Sequence, residues 1–244
     1  MPRENKKMLS VREISKSFGG VRALRSVSLD IYENEILGIM GPNGSGKTTL
    51  VNVITGYIRP DKGKVYFFNK DITGLPPYEI SRLGVVRTFQ IPRPFKNMTL
   101  LDNIALSILV SQGLQDINDA YEKASLILDK VRLGDKKHLL AKEISDIEKK
   151  RLELARALGA NPKILFLDEV LAGARGDELH SLLKLINEIR EEKITIVVIE
   201  HIVSALLKIS DRIIVLDQGS VIAEGKPEEI INNSLVKKAY LGEA

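Results

Sequence analysis

A glycine-rich loop, Gly-Pro-Asn-Gly-Ser-Gly-Lys-Thr, occupies Gly41 to Thr48. It follows the apolar run Ile36 to Met40, which is typical of a buried strand, and precedes Thr49 to Thr55, which is compatible with a helix. A strand, a loop of this composition and a helix in that order form a phosphate-binding unit. A plain glycine-rich turn beside a lysine is the alternative, but it would not require all eight positions to match. The loop therefore predicts an α/β fold that binds a nucleotide.

The residue types of this loop fit the binding of a nucleoside triphosphate. Gly41, Gly44 and Gly46 can take backbone angles closed to other residues, so main-chain N–H groups can surround the β- and γ-phosphates. Lys47 would reach the β/γ oxygens, and the Thr48 hydroxyl would coordinate a magnesium ion that bridges them. We therefore expect ATP and Mg²⁺ as cofactors. The candidate nucleotide-binding residues here are Gly41, Pro42, Asn43, Gly44, Ser45, Gly46, Lys47, Thr48 and Thr49.

A second apolar run, Ile164 to Leu167, leads directly into Asp168 and Glu169. Open α/β sheets bind ligands at the carboxyl ends of their strands, where these two carboxylates would lie. Asp168 is predicted to hold magnesium, directly or through water, and Glu169 to orient and polarise the attacking water. The alternative is a strand end with two solvated acids, and the complete phosphate loop upstream argues against it.

The remaining patterns predict a single α/β domain over residues 1–244 with a mainly parallel core sheet. Ile194 to Ile199 is another apolar run of the kind found in strands covered by helices on both faces. Alternation at Val27, Leu29 and Ile31 predicts β-structure near the N-terminus, and Ile213 to Ala223 reads as a hairpin.

Between about residues 94 and 160 the apolar spacing becomes helical. One face of a predicted helix carries Ala120, Ala124, Ile127, Leu128 and Val131. We therefore expect a nucleotide-binding core at 1–93 and 161–244, interrupted by an inserted helical subdomain at about 94–160.

Charge and composition exclude several classes of function. The formal net charge is only +4 and its charges are interspersed, so we expect no nucleic-acid partner. The chain has no cysteine, which rules out disulfides and thiol chemistry and fits the cytosol. Met1 to Lys7 is charged, unlike a secretion signal, and no run of about eighteen apolar residues occurs. If the chain serves membrane transport, it must dock on a separate membrane protein.

Besides the phosphate loop, the chain carries the pairs Phe89-Gln90 and Glu200-His201. With these motifs it resembles the ATP-binding subunit of ABC transporters over nearly its full length. The resemblance implies the P-loop NTPase fold of the ABC cassette, with an N-terminal antiparallel β-subdomain. It identifies Gln90 as the glutamine that senses magnesium and the membrane partner, and His201 as the histidine that contacts the γ-phosphate. A lone histidine is more often structural, so the resemblance alone singles out His201. Phe18 corresponds to an aromatic that stacks on adenine, with an ordinary core aromatic as the alternative.

The resemblance completes the expected set of site residues. The catalytic residues are Lys47, Gln90, Glu169 and His201, and the magnesium ligands are Thr48, Gln90 and Asp168.

Several segments are similar to one subgroup, the branched-chain amino acid importers. They are residues 15–24, 71–77, 87–90 and 222–225, followed by Pro227-Glu-Glu-Ile and Ala239-Tyr-Leu-Gly. ATPases of urea importers and lipopolysaccharide exporters share parts of them. None of these segments contacts a transported molecule, so the cargo follows from the resemblance alone.

The chain departs from the family at the signature motif, Leu-Ser-Gly-Gly-Gln, which becomes Ile144 to Glu148 and retains only Ser145. In this family the signature of one subunit presents its serine, backbone N–H groups and a helix N-terminus to the nucleotide of a second subunit. Ile147 replaces the second glycine, which restricts the backbone, and Asp146 and Glu148 bring negative charge near an anion. The partner-facing loop after Glu169 is also unusual, because Val170, Ala174 and Arg175 stand where the family has proline, leucine and asparagine. We therefore expect a weakened closed dimer.

The resemblance implies an ATP-hydrolysing motor of an importer, with membrane permease subunits as partners and, indirectly, a substrate-binding protein. It would lie peripherally on the cytoplasmic face of the cell membrane. Because Lys47, Gln90, Glu169 and His201 match the family, we expect an asymmetric pair with a second ABC ATPase rather than a symmetric homodimer. The alternatives are a regulatory subunit with little hydrolysis, an ATPase for urea or another substrate, and a soluble ABC ATPase without a transport role.

Overall fold

The computed structural model describes residues 6–113 and 116–241. Most of the charged start Met1 to Lys7, and Gly242 of the terminal motif, lie outside the described residues. The strands are β1 (Lys7–Phe18), β2 (Val21–Tyr32), β3 (Ile36–Met40), β4 (Lys62–Phe67), β5 (Lys70–Asp71), β6 (Val85–Arg87), β7 (Ile164–Asp168), β8 (Thr195–Ile199), β9 (Arg212–Asp217) and β10 (Ser220–Gly225). The helices are α1 (Lys47–Ile54), α2 (Pro77–Leu83), α3 (Leu100–Gln112), α4 (Ile117–Lys130), α5 (Asp146–Gly159), α6 (Gly176–Glu191), α7 (Val203–Ile209), α8 (Pro227–Asn232) and α9 (Ser234–Leu241).

A six-stranded sheet in the order β10-β9-β3-β8-β7-β6 forms the centre of the molecule. All neighbours are parallel except the β9-β10 hairpin, which confirms the predicted mainly parallel sheet. Every residue of β3, β7 and β8 is buried, as expected for apolar strands covered on both faces. Because β3, β8 and β7 are adjacent and parallel, the segments that follow them meet at one edge of the sheet.

The N-terminal strands form a separate antiparallel sheet in the order β2-β1-β4-β5, which confirms the antiparallel β-subdomain that the resemblance implies. Apolar residues of β1 and β2 are buried against α1 and one face of the central sheet, where Leu9, Leu50 and Phe166 belong to the same apolar cluster. The opposite face of the central sheet, which includes Leu165 and Leu167, packs in a second cluster. The two-residue period of the strands therefore divides the core into two layers.

Helices α3, α4 and α5 lie between β6 and β7 in the chain and pack against one another. The predicted face of α4 and the residue after it are confirmed, since Ala120, Ala124, Leu128 and Val131 are buried and Ile127 is partly buried. Buried side chains of these helices share one apolar cluster with β7 and α6. The division into a core and an inserted subdomain stays a prediction.

Candidate functional site

The phosphate loop, Gly41 to Thr48, joins β3 to α1. Two of its glycines are required by close backbone approach. A Cβ atom at Gly41 would lie 2.1 Å from the carbonyl oxygen of Leu216, and one at Gly46, which has φ 105°, would lie 2.6 Å from that of Ala23. A Cβ atom at Gly44 would meet nothing within 4 Å. The loop is therefore packed on its inner side and open on its outer side.

Helix α1 begins two residues earlier than predicted, at Lys47, so Lys47 and Thr48 lie in its first turn. Its N-cap, Gly46, supplies no side-chain acceptor, and the first turn contains no acidic residue. The first N–H groups of a helix need an acceptor, and the helix dipole favours an anion there. This donor set fits a nucleotide phosphate.

The Lys47 amine is held over the loop. Its Nζ donates to the carbonyl oxygens of Gly41 at 2.7 Å and Pro42 at 3.0 Å. Burial lowers the pKa of Lys47, while the nearby Glu169 and Asp168 carboxylates oppose that shift. A positive charge is thus fixed between the loop and the two carboxylates.

Asp168, at the end of β7, forms a buried ion pair with Arg87 at the end of β6. The Arg87 Nη2 atom lies 2.8 Å from Asp168 Oδ2, and Arg87 Nη1 donates to Asn52 Oδ1 of α1 at 2.5 Å. Both charged side chains are under one-tenth exposed. Burial raises the pKa of Asp168, and Arg87 counteracts that effect. The pair ties together two strands and the helix that follows the phosphate loop.

Glu169 lies between Gln90 and His201. The Gln90 Nε2 atom donates to Glu169 Oε2 at 2.6 Å, and His201 Nδ1 lies 3.9 Å from Glu169 Oε1. The Glu169 backbone has φ 51°, and its N–H donates to the carbonyl oxygen of Ile199 at 2.9 Å. Three segments that are far apart in sequence thus present polar side chains at one point.

The predicted magnesium ligands fit a hard cation because Thr48, Gln90 and Asp168 all carry oxygen atoms, the ligand type that Mg²⁺ prefers. Among residues 6–113 and 116–241, no group of three or more His, Cys, Asp or Glu side chains could hold a metal ion. Thr48, Gln90 and Asp168 supply fewer oxygen atoms than the octahedral coordination of Mg²⁺ requires, so water or nucleotide oxygens would complete it.

Phe18 and Ser145 make none of the hydrogen bonds that hold the phosphate loop in the described part of the chain. Phe18 ends β1 and is 46% exposed, which excludes the ordinary core aromatic, and Lys16 Nζ lies 5.5 Å from its ring centre. Ser145 is the N-cap of α5.

The α5 N-terminus is closed by a capping box. Ser145 Oγ donates to Glu148 Oε2 at 2.8 Å, and the Ser145 backbone N–H donates to the same oxygen at 2.8 Å. Lys136 pairs with the other carboxylate oxygen of Glu148, and its hydrogen bond lowers the pKa of Glu148 to about 2. Glu148 therefore turns back onto its own helix, whereas the Asp146 side chain is 97% exposed and pairs with Lys149.

Sequence reasoning missed two residues of this region, Arg87 and Glu200. Both occur in quoted motifs, Arg87 three positions before Gln90 and Glu200 directly before His201. Glu200 is fully buried, and its Oε1 accepts from the Leu171 N–H at 2.6 Å. A charged residue at the end of an apolar strand was the available signal in each case.

A model of the family described as ABC transporter matches residues 24–172 of the chain. A second model, described as branched-chain amino acid ATP-binding cassette transporter, matches residues 220–244. A probable branched-chain amino acid transport ATP-binding protein, LivG, of Archaeoglobus fulgidus is 41% identical over 97% of this chain and 96% of its own length.

Two solved structures share the fold. One is the ADP conformation of an ATP-binding cassette of an ABC transporter, with a TM-score of 0.87 and 36% identity over 97% of this chain and 99% of that one. The other is a dimeric bacterial ABC transporter cassette, with a TM-score of 0.81 and 28% identity over 90% of this chain and 99% of that one.

Proposed function

Because this chain belongs to the ABC transporter family of ATP-binding subunits, we propose that it is the ATP-hydrolysing motor of an importer for branched-chain amino acids. Nucleotide binding and ATPase activity are family properties, whereas the cargo is the proposal. Its support is the name of the Archaeoglobus fulgidus relative, a probable branched-chain amino acid transport ATP-binding protein, and the match of residues 220–244 to a model for such transporters.

The observation that supports ATP hydrolysis at this site is the position of the Glu169 carboxylate, held by Gln90 and close to His201. In the proposed reaction the α1 N-terminus and Lys47 hold the triphosphate, and Phe18 stacks on adenine. Glu169 orients and polarises the attacking water, and His201 contacts the γ-phosphate. Bound Mg²⁺ would offset charge on the β- and γ-phosphate oxygens, with Thr48, Gln90 and Asp168 as its protein ligands.

Turnover by the purified chain, measured beside Glu169→Gln, tests this assignment. The conservative amide keeps the shape of the side chain but cannot act as a base. We expect both proteins to bind ATP and only the unsubstituted chain, alone or with its partner, to hydrolyse it. Equal turnover by both would remove Glu169 from the reaction. Binding without any turnover, even with a partner cassette, would favour the regulatory alternative.

We further propose that the chain pairs with a second ABC ATPase whose intact signature closes over the ATP bound here. The dimeric cassette with 28% identity supports pairing. Asymmetry is supported by two features of α5. Ile147 stands where the family has glycine, and the Ser145 hydroxyl is already hydrogen-bonded to Glu148. A serine so engaged has to break that contact before it can donate to a nucleotide on another subunit.

These two obstacles can be separated by Ile147→Gly, Glu148→Gln and the double variant. Glutamine keeps the size of Glu148 but weakens its contacts with Lys136 and Ser145. We expect the double variant to gain turnover in the chain alone, and each single variant to gain less. If no variant gains turnover although all bind ATP, the degenerate signature is not what limits a symmetric pair.

The membrane partner in this proposal is a pair of permease subunits that receive the motion of the helical segment, and a substrate-binding protein would act through them. A surface groove supports this docking, because it exposes Tyr57 and Phe89, with rings packed edge to face, beside Arg156 of α5. In the described part of the chain, each helix is too short or too polar to cross a bilayer. We propose a peripheral position on the cytoplasmic face of the cell membrane, and co-purification with the permease tests it.

A further inference from the structure

Glu200 is a buried carboxylate placed between two functional loops. It follows β8, precedes His201 and has no exposed surface. Its backbone N–H lies 3.4 Å from the carbonyl oxygen of Ile39, just before the phosphate loop. Its Oε1 accepts from the Leu171 N–H at 2.6 Å, and its Oε2 is buried with no hydrogen-bond partner among the described residues. The Glu200 side chain therefore binds the segment that follows Glu169.

That segment, residues 170–175, is held from two sides. Glu200 binds Leu171 from the β8 side, and Lys150 of α5 donates to the carbonyl oxygen of Ala172 from the other. Within the segment, the Ala172 N–H donates to the Glu169 carbonyl oxygen at 3.2 Å. Consecutive residues are thus fixed by side chains of opposite charge from different parts of the fold.

These contacts fix the backbone conformation of Glu169. Its φ of 51° is unusual for a residue with a side chain, and such a conformation persists only where its surroundings fix it. The bond from the Glu169 N–H to Ile199 fixes one side of the residue. The bond from the Leu171 N–H to Glu200 fixes the other, and Leu171 is itself fully buried. If this donor lost its acceptor, the loop would have to move to find another.

We propose that Glu200 is a positioning residue for ATP hydrolysis, which ties the loop after Glu169 to the segment that follows β8 and contains His201, and so maintains the relative position of the Glu169 and His201 side chains. The proposal rests on the proposed roles of Glu169 and His201. Glu200 touches neither the reacting atoms nor the nucleotide in this scheme.

The groups around Glu200 give it a titration near neutral pH that an uncharged core residue would lack. Burial raises its pKa to about 7, the Leu171 N–H and Lys150 oppose that rise, and the Glu169 and Asp168 carboxylates add to it. The Leu171 amide should therefore sense a titration near neutral pH. Gln cannot titrate but still offers a carbonyl oxygen to Leu171, whereas Met has a similar volume and no comparable acceptor.

The experiment compares the full chain with Glu200→Gln and Glu200→Met. Mg-ATP affinity and turnover are measured, turnover in the presence of the partner cassette if the chain alone has none. Exchange and chemical shift of the Leu171 amide are followed by NMR from about pH 5.5 to about pH 8.5. We expect Met to reduce kcat about tenfold or more with ATP affinity nearly unchanged, and Gln to restore most of it. We also expect Leu171 to lose exchange protection only in the Met variant.

Wild-type turnover by Glu200→Met, or a Leu171 amide that stays protected in it, would overturn the proposal. So would equal loss of ATP affinity and turnover in both variants, since that indicates a role in the fold. If the Met variant does not fold, the pH dependence of the Leu171 amide chemical shift decides. A pH-dependent shift in the wild-type chain that persists unchanged in Glu200→Gln would exclude Glu200 as its source and overturn the proposal. The NMR arm requires no turnover, so failure of the proposed function is distinguished from failure of this inference.

Discussion

Glu200→Gln should change how the stability of the folded chain depends on pH. Burial raises the pKa of Glu200 from 4.5 to about 7. Between these values the folded state keeps a proton that the unfolded state has lost. The free energy of unfolding of the wild-type chain therefore falls as pH rises through this window and levels off above it. Gln carries no titrating proton, so the variant lacks this decline.

The size of the effect follows from the shift. Each pKa unit corresponds to about 1.4 kcal/mol, so the full window corresponds to about 3.5 kcal/mol, of which about 2.5 kcal/mol falls between about pH 5 and about pH 8. The stability of Glu200→Gln relative to wild type should rise by that amount over this range. Asp168, Glu169 and Lys150 are present in both proteins, so the comparison isolates the effect of replacing Glu200.

Urea unfolding curves for both proteins at several pH values measure this difference, with reversibility confirmed by refolding. Glu122→Gln, at an exposed position on α4, controls for the change in net charge. A difference between wild type and Glu200→Gln that does not vary with pH would refute the reasoning. It would mean that the Leu171 N–H and Lys150 stabilise the buried charge as much as burial penalises it.

Three further predictions concern the other charged groups. Arg87→Met should lower the free energy of unfolding by about 3 kcal/mol because it leaves the buried Asp168 carboxylate unpaired, and Arg87→Met with Asp168→Asn should recover part of that loss in urea unfolding. Glu148→Ala removes the capping box of α5 and should destabilise the chain by about 1 kcal/mol. In the folded state the pKa of Glu148 is about 2, against its ordinary value of 4.5. The stabilisation by the capping box is therefore present above pH 4.5 and is lost as the pH falls towards 2. The unfolding curves of the wild-type chain and Glu148→Ala should therefore converge in acid. Lys47→Met should weaken ATP binding about tenfold or more in calorimetric titration, since it removes a charged donor from the phosphates, and unchanged affinity would exclude Lys47 from the site.

Much of the fold could be predicted because its determinants are local. The buried strands β3, β7 and β8 are continuous apolar runs, and β2 alternates with a period of two at Val27, Leu29 and Ile31. Parallel pairing then brings the ends of β3 and β7 to one edge, so Lys47 and Asp168 could be placed near each other from the motifs, whereas His201, which follows β8, was singled out by the resemblance alone. The start of α1 was less predictable, since Gly46 caps it through its backbone conformation rather than a side chain.

Arg87 and Glu200 could not be assigned in this way because their roles depend on partners that only the fold brings near. Arg87 meets Asp168, 81 positions away, and Glu200 meets Leu171, 29 positions away. Neither contact leaves a spacing pattern, whereas a phosphate loop is contiguous and a helix face repeats. A comparison of motifs alone would therefore treat both residues as ordinary strand ends. The structure implies the opposite, because replacing Arg87 leaves a buried charge unpaired and replacing Glu200 leaves a buried N–H group without an acceptor.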